Sequence, residues 1–204
     1  VNQAYAFDTN GQNVTLSQDL TSTGGTLMKI GSGVLTLSGA NTYSGATTIN
    51  AGTLKAGSAT AFGTGTINVA NGAALDLNGQ TMTSTGALTL NGTGVSSGGA
   101  LMNSGGAATY AGLITLGSAT SIVGGSGTIA ISNVGSMGGG NFALTLGGAQ
   151  GGSVASILDA SISSLTKQGA GTWALSGVNT FTGGTTLSAG TLSISADSNL
   201  GAAP

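Results

Sequence analysis

Short apolar runs alternate with clusters of Gly, Asn and Ser along the whole chain. Val34-Leu35-Thr36-Leu37, Thr47-Thr48-Ile49-Asn50, Gly65-Thr66-Ile67-Asn68-Val69, Ala73-Ala74-Leu75-Asp76-Leu77 and Ala87-Leu88-Thr89-Leu90 each predict a strand of period two. Between them, Asn71-Gly72, Asn78-Gly79, Asn91-Gly92 and Ser38-Gly39 place glycine where a positive φ costs little and asparagine where its side chain bonds its own backbone. The same dipeptides suit two-residue hairpins, so local pattern alone leaves an antiparallel sheet open. Spacing favours another topology. Leu54 to Leu75, Ile67 to Leu88 and Val69 to Leu90 are each 21 residues apart, a distance suited to one coil of a solenoid whose equivalent residues stack on successive rungs. The segment 91–110 does not keep this register and is read as turns of variable length. Ser153-Val154-Ala155-Ser156-Ile157-Leu158 is read as strand in preference to a helical turn.

A longer repetition overlies the short one. KIGSGVLTLSGANTYSGATTINAGTL at 29–54 aligns without a gap on KQGAGTWALSGVNTFTGGTTLSAGTL at 167–192, 138 residues later, with 15 of 26 positions identical. Most other positions exchange like for like, as Tyr43 with Phe181 and Ile49 with Leu187, the signature of a stacked repeat. The expectation is an all-β chain, one continuous β-solenoid segment over 1–204, with repeat units at about 29–57 and 167–195. Roughly nine or ten rungs at about 4.8 Å give a rod roughly 45 Å long. Its narrow core suits ladders of Leu, Ile, Val and Ala with few aromatics.

Composition narrows the function. The chain has 204 residues with 40 Gly, one Pro, and no Cys, His, Arg or Glu. Charge is confined to Lys29, Lys55 and Lys167 against Asp8, Asp19, Asp76, Asp159 and Asp197. Three scattered lysines and a net charge of −2 supply no basic patch for nucleic acid. Without cysteine there is neither a disulfide-stapled fold nor thiol chemistry. No apolar run approaches the roughly 18 residues of a membrane span. VNQAYAFDTN has no signal-peptide character, so any such segment lies outside this sequence or was removed.

GVLTLSGANTYSGATTINAGTLKAG, followed by GTGTINVANGAALDLNG, resembles the autotransporter-associated β-strand repeat of passenger domains secreted by Gram-negative bacteria. The resemblance rests above all on Gly39, Asn41, Tyr43, Gly45 and Gly52 in the first copy and on Gly177, Asn179, Phe181, Gly183 and Gly190 in the second. ADSNLGAA at 196–203 resembles the way such repeats continue. What the resemblance implies is a single-stranded right-handed parallel β-helix, carried through the outer membrane by a C-terminal barrel and displayed extracellularly or on the cell surface. No barrel strand is recognisable in this sequence. The repeat itself serves as scaffold in that family, while adhesion or proteolysis depends on other regions.

Candidate sites are few. A Ser-His-Asp hydrolase is excluded within this segment because no imidazole is present. Asp76 and Asp159 are the candidate carboxylate pair for glycoside cleavage, although single aspartates in turns are the commoner use. Gly124-Gly125-Ser126-Gly127 begins like a calcium-binding nonapeptide, but Ile129 stands where the aspartate belongs. Gly31-Ser32-Gly33 lacks the lysine spacing and helix of a phosphate loop. Thr81, Thr83 and Thr85, with the pairs Thr47-Thr48 and Thr185-Thr186, would make a hydroxyl array if stacked on one flat face. Asn13-Val14-Thr15 and Asn91-Gly92-Thr93 match the N-glycosylation pattern, which recurs by chance in such a chain. Tyr43 and Phe181 are expected to cover rung corners, with Asn41 and Asn179 satisfying turn backbone. No cofactor and no enzymatic activity are expected.

The functional expectation is an extracellular structural scaffold, a β-solenoid segment of an autotransporter-like surface protein or adhesin. Alternatives are a self-assembling subunit of an extracellular filament, since open solenoid ends expose strand backbone, and a carbohydrate- or ice-binding module. Uncapped strand near Val14-Thr15-Leu16, with Pro204 the only residue that blocks continuation, fits either end-to-end self-association or a segment cut from a longer chain. Contacts with a host or neighbouring cell are expected through other regions.

Overall fold

The alternation of apolar and small polar residues becomes a stack of short parallel strands in the computed structural model, which describes residues 2–82 and 86–202. The fold is an all-β solenoid of about 9 turns. Among the described residues only two short 3-10 turns, Val95–Ser97 and Asp197–Leu200, interrupt the strands and loops.

Strands stack in three columns. The first holds Ala4–Asp8, Thr26–Ile30, Thr47–Ile49, Ile67–Val69, Leu88–Gly92 and the start of Ile114–Gly124, where a bridge from Thr115 to Gly138 leads on to the paired Ser136–Met137 and Ile157–Leu158. The second holds Val14–Leu16, Val34–Leu37, Thr53–Ala56, Ala74–Asp76, Leu101–Asn103, the end of Ile114–Gly124, Phe142–Gly147, Ile162–Lys167 and Thr185–Leu187. The third begins at Thr81–Met82 and continues through Ala108–Tyr110, Ile129–Ile131, Gly151–Val154, Thr172–Leu175 and Thr191–Ile194. Ile114–Gly124 turns the corner between the first two columns without a break, with a register shift at its pairing to Leu90 and Gly92.

The second column shows how the core is built. Val14, Leu35, Leu54, Leu75, Leu101, Ile122, Leu146, Lys167 and Leu187 sit in register, one per rung, with their side chains on the inner face. Val14 and Leu187, which have a neighbour on one side only, are 42% and 55% exposed, while Leu75 in the middle is fully buried. Period two places every second residue on this face, so each rung contributes one residue to the same ladder, apolar on every rung but that of Lys167.

Rung length varies where the sequence loses its spacing. Leu75 to Leu101 and Leu88 to Ile114 each span 26 residues, against 21 for Leu54 to Leu75. The excess is looped out over 93–99, where Gly99 N–H donates to the Thr93 carbonyl at 2.8 Å. Outside the loop, Lys55 donates to Ser104 at 2.9 Å and lies 3.6 Å from Asp76, which also accepts the Ser104 N–H at 3.0 Å. Three successive rungs are thereby tied beside the enlarged one.

The structure corrects one turn. Ser38-Gly39 is not a positive-φ turn: Gly39 lies outside the left-handed region, and a Cβ there would meet the Gln18 carbonyl of the rung below at 2.5 Å. Leu75→Ala, in mid-ladder, is expected to cost about 2–5 kcal/mol. Thr48→Ala, on the outer face, should stay within about 0.5 kcal/mol. Urea unfolding of both variants checks the pair.

Candidate functional site: the bonds between rungs

The repeated residues form one constellation, written twice. In the first copy the Leu20 N–H donates to Asn41 Oδ1 at 2.8 Å, and Asn41 Nδ2 donates to the Ala61 carbonyl at 2.6 Å. In the second, the Leu158 N–H donates to Asn179 Oδ1 at 2.8 Å, and Asn179 Nδ2 donates to the Asn199 carbonyl at 2.6 Å. Each buried asparagine clasps the rung below and the rung above. One carboxamide carries both a donor and an acceptor, which is what a turn with an unpaired N–H on one side and a free carbonyl on the other requires.

Lys29 and Lys167 are the second element. Both point inward and are fully buried. Lys29 Nζ donates to the carbonyls of Ile30 at 2.8 Å, Gly31 at 2.7 Å and Ala51 at 3.1 Å. Lys167 Nζ donates to those of Gln168 at 3.0 Å, Gly169 at 2.8 Å and Ala189 at 2.9 Å. Three ammonium donors meet three turn carbonyls, two in the same rung and one in the next, so the buried charge is fully hydrogen-bonded. Period-two alternation places Lys29 on the same side as Leu27. That signal was available in the sequence, where the lysines were counted only as scattered charges.

Glycine completes the unit through space. A Cβ at Gly45 would press on the Gly25 carbonyl, and one at Gly183 on that of Ser163. Gly177 lies against the Ser156 carbonyl, as Gly39 lies against that of Gln18. Gly52 and Gly190, directly after the lysine-bonded Ala51 and Ala189, add positive φ values of 67° and 70°. Tyr43 and Phe181 are both fully buried. The Tyr43 hydroxyl lies 2.7 Å from Thr47 Oγ1 in a hydrogen bond, and its ring meets that of Tyr5 edge-on at 6.3 Å.

Where the copies differ in size, neighbours compensate. Leu35 pairs with Val14, whereas its counterpart Trp173 pairs with Gly152. The absent side chain leaves room for the indole, whose Nε1 donates to the Gly147 carbonyl at 2.9 Å.

The copies do not occupy the same side of the solenoid. Thr26–Ile30 and Thr47–Ile49 stand in the first column, but their counterparts Ile162–Lys167 and Thr185–Leu187 stand in the second. Val34–Leu37 stands in the second, its counterpart Thr172–Leu175 in the third. The second unit is therefore turned by one column, a third of a turn, about the solenoid axis.

The remaining candidates are kept apart. Asp76 bonds Ser104 and lies beside Lys55, whereas Asp159 accepts from Ser136 at 2.7 Å and from the Ser161 N–H at 2.9 Å, so the two carboxylates share no partner. Thr47 is buried and Thr48 faces outward, which splits the pair across the strand. Thr185-Thr186 lies in another column, and Thr83 and Thr85 lie outside the described residues. Ser126 N–H donates to the Asn103 carbonyl of the rung below, and Ile129 is buried in the core. Asn13 Oδ1 accepts the Val34 N–H at 3.3 Å, and Asn91 Nδ2 donates to the Val69 carbonyl at 2.8 Å. Among the described residues no three Asp side chains gather to hold a metal ion. A shallow outer groove over the second column is lined by Val34, Thr36, Thr53, Lys55, Met102 and Ser104.

Titration follows burial. Burial pushes the Tyr43 and Tyr110 hydroxyls well above their ordinary value of 10.0, with the Thr47 bond opposing at Tyr43. Burial lowers Lys29 and Lys167 below 10.5, with Asp8 opposing at Lys29. Burial raises Asp159, but bonds from Ser161 and Ser136 outweigh it and leave the carboxyl below 3.8. A phenol whose folded value is raised stabilises the fold below 10.0, and that contribution is lost as the pH climbs from there towards the folded value. The lysines act oppositely, since their burial penalty is relieved as the pH rises towards 10.5. Tyr43→Phe, the exchange already present at Phe181, is thus expected to lose less melting temperature than the parent chain above pH 10.0. Lys29→Met, which keeps the stem and removes the donors, should cost about 1–3 kcal/mol at neutral pH by denaturant titration.

A family model described as the passenger-associated-transport-repeat matches residues 27–56 and 165–194. These are the two stretches whose inter-rung bonds coincide. No curated protein and no solved structure matches the chain. The chain is a β-solenoid in which two stretches, 27–56 and 165–194, match the passenger-associated-transport-repeat.

Proposed function

We propose that the chain is a structural scaffold of a secreted or surface-displayed protein, a solenoid segment that projects or spaces regions lying elsewhere. The observation that carries this reading is the placement of what the two copies share. Among the common residues, Lys, Asn and Gly are aimed at neighbouring rungs, whereas the outer Ser and Thr that the copies also share face different sides. Selection for a ligand face would be expected to repeat the outer residues on one side. Here the inner bonds repeat and the outer face rotates. Family membership of the repeat units supports export to the cell surface of a Gram-negative bacterium, with adhesive or host contacts made by other regions.

A second reading, end-to-end self-association, rests on the general tendency of open strand edges to pair with another chain. A carbohydrate- or ice-binding face draws less support: Thr145, Thr166 and Thr186 stack in one outer row of the second column, but the row of Thr48 in the first is broken by Asn68.

Fusion of the chain between an N-terminal epitope and an outer-membrane translocator barrel tests the scaffold reading. The epitope is expected on the cell surface, accessible to protease and antibody, at a reach that grows when a second copy of the chain is inserted. An epitope retained in the periplasm, or a reach unchanged by doubling the chain, would contradict it.

A further inference from the structure

Four Asn-Gly dipeptides punctuate the chain, at Asn10-Gly11, Asn71-Gly72, Asn78-Gly79 and Asn91-Gly92. Such a dipeptide carries its own chemistry. The glycine nitrogen, on losing its proton, attacks the asparagine Cγ. A C–N bond forms, the side-chain nitrogen leaves as ammonia, and the resulting succinimide opens with water to aspartate or isoaspartate. Only water is consumed. The reaction needs a glycine N–H free to lose its proton, a carboxamide free to swing towards it, and a backbone free to bring them together.

The solenoid treats the four sites in two ways. At Asn78, Nδ2 donates to the Ala56 carbonyl at 2.8 Å, and the Gly79 N–H donates to Asn103 Oδ1 at 2.8 Å. At Asn91, Nδ2 donates to the Val69 carbonyl at 2.8 Å, and the Gly92 N–H donates to Ser118 Oγ at 2.9 Å. Both the electrophilic carboxamide and the nucleophilic nitrogen are held by neighbouring rungs. At Asn10 and Asn71 neither is hydrogen-bonded: among the described residues no hydrogen bond reaches either carboxamide or the N–H of Gly11 or Gly72, and the Asn71 carboxamide only packs against Gly92 of the next rung. Both asparagines are exposed. A Cβ built on Gly72 meets nothing within 4 Å, so the turn has room to move.

We propose that Asn10 and Asn71 are sites of spontaneous backbone-assisted deamidation in the folded chain, and that inter-rung hydrogen bonds protect Asn78 and Asn91. Asn10 and Asn71 both follow first-column strands, Ala4–Asp8 and Ile67–Val69, and precede second-column strands. They therefore lie on one edge of the solenoid, between those columns. Conversion of both adds two carboxylates to that edge and takes the net charge from −2 to −4. On a charge-poor rod this is a large local change, and it makes the edge a record of the protein's age.

The test is peptide mass spectrometry of the purified chain held in warm, mildly alkaline buffer for weeks, beside a sample kept unfolded in a non-carbamylating denaturant. The expected result is NH2-to-OH conversion at Asn10 and Asn71 about tenfold or more faster than at Asn78 and Asn91 in the folded chain, with the four sites converging when unfolded. A tenfold ratio corresponds to about 1.4 kcal/mol, within reach of the two hydrogen bonds that must break at each protected site. Ser118→Ala frees the Gly92 N–H and should speed conversion at Asn91 while leaving Asn78 slow. Equal rates at all four sites in the folded chain, or Asn91 unmoved by Ser118→Ala, would overturn the proposal.

Discussion

Stacking in register governs everything else in this protein. Each inner position meets the same position of the rung below and the rung above at about 4.8 Å, so a side chain must suit two neighbours of its own kind. The ladder from Val14 to Leu187 shows the usual solution, a branched aliphatic on nearly every rung. It also shows the exception. Lys167 occupies that ladder between Leu146 and Leu187 because its stem packs like an aliphatic and its ammonium reaches the turn carbonyls. The same constraint explains why Trp173 is accommodated only beside Gly152.

Turns pose the harder problem. A strand satisfies its backbone through the ladder, but each corner leaves N–H and carbonyl groups without a lateral partner. Asn41 and Asn179 answer one corner, and Lys29 and Lys167 answer another. These are devices for joining a rung to its neighbours, and they work on whichever side of the solenoid they fall. That is why the second copy functions a third of a turn away from the first. Inner bonding is indifferent to azimuth, whereas a binding surface is not.

Much of the fold was legible in the sequence. The pairs Leu54 and Leu75, Ile67 and Leu88, and Val69 and Leu90, picked out by spacing, are stacked neighbours. Val34–Leu37 is a strand over the same residues that the alternation marked. The candidate site was only half visible. Asn41 and Tyr43 stood out because they recur, but the depth of Lys29 was hidden by the ordinary expectation that lysine faces water. The rotation between copies was not readable, because it depends on the length of every intervening rung, including the five extra residues looped out near Val95. Ser38-Gly39 misled for a related reason: its glycine answers a neighbouring rung rather than its own turn.

The most direct test of the stacking account uses the absence of native cysteine, so that two introduced thiols report only on each other. Thr145 and Thr166 face outward on adjacent rungs of the second column and are partners in register. Parallel stacking puts their Cα atoms about 5 Å apart, within disulfide range. The measurement is the rate of disulfide formation in the chain carrying Thr145→Cys and Thr166→Cys, against a chain carrying Thr145→Cys and Ala174→Cys, where the second thiol sits in the third column. The account predicts rapid, near-complete intramolecular closure in the first chain and none in the second. Closure at similar rates in both, or in the second alone, would contradict the register on which the fold and its function rest.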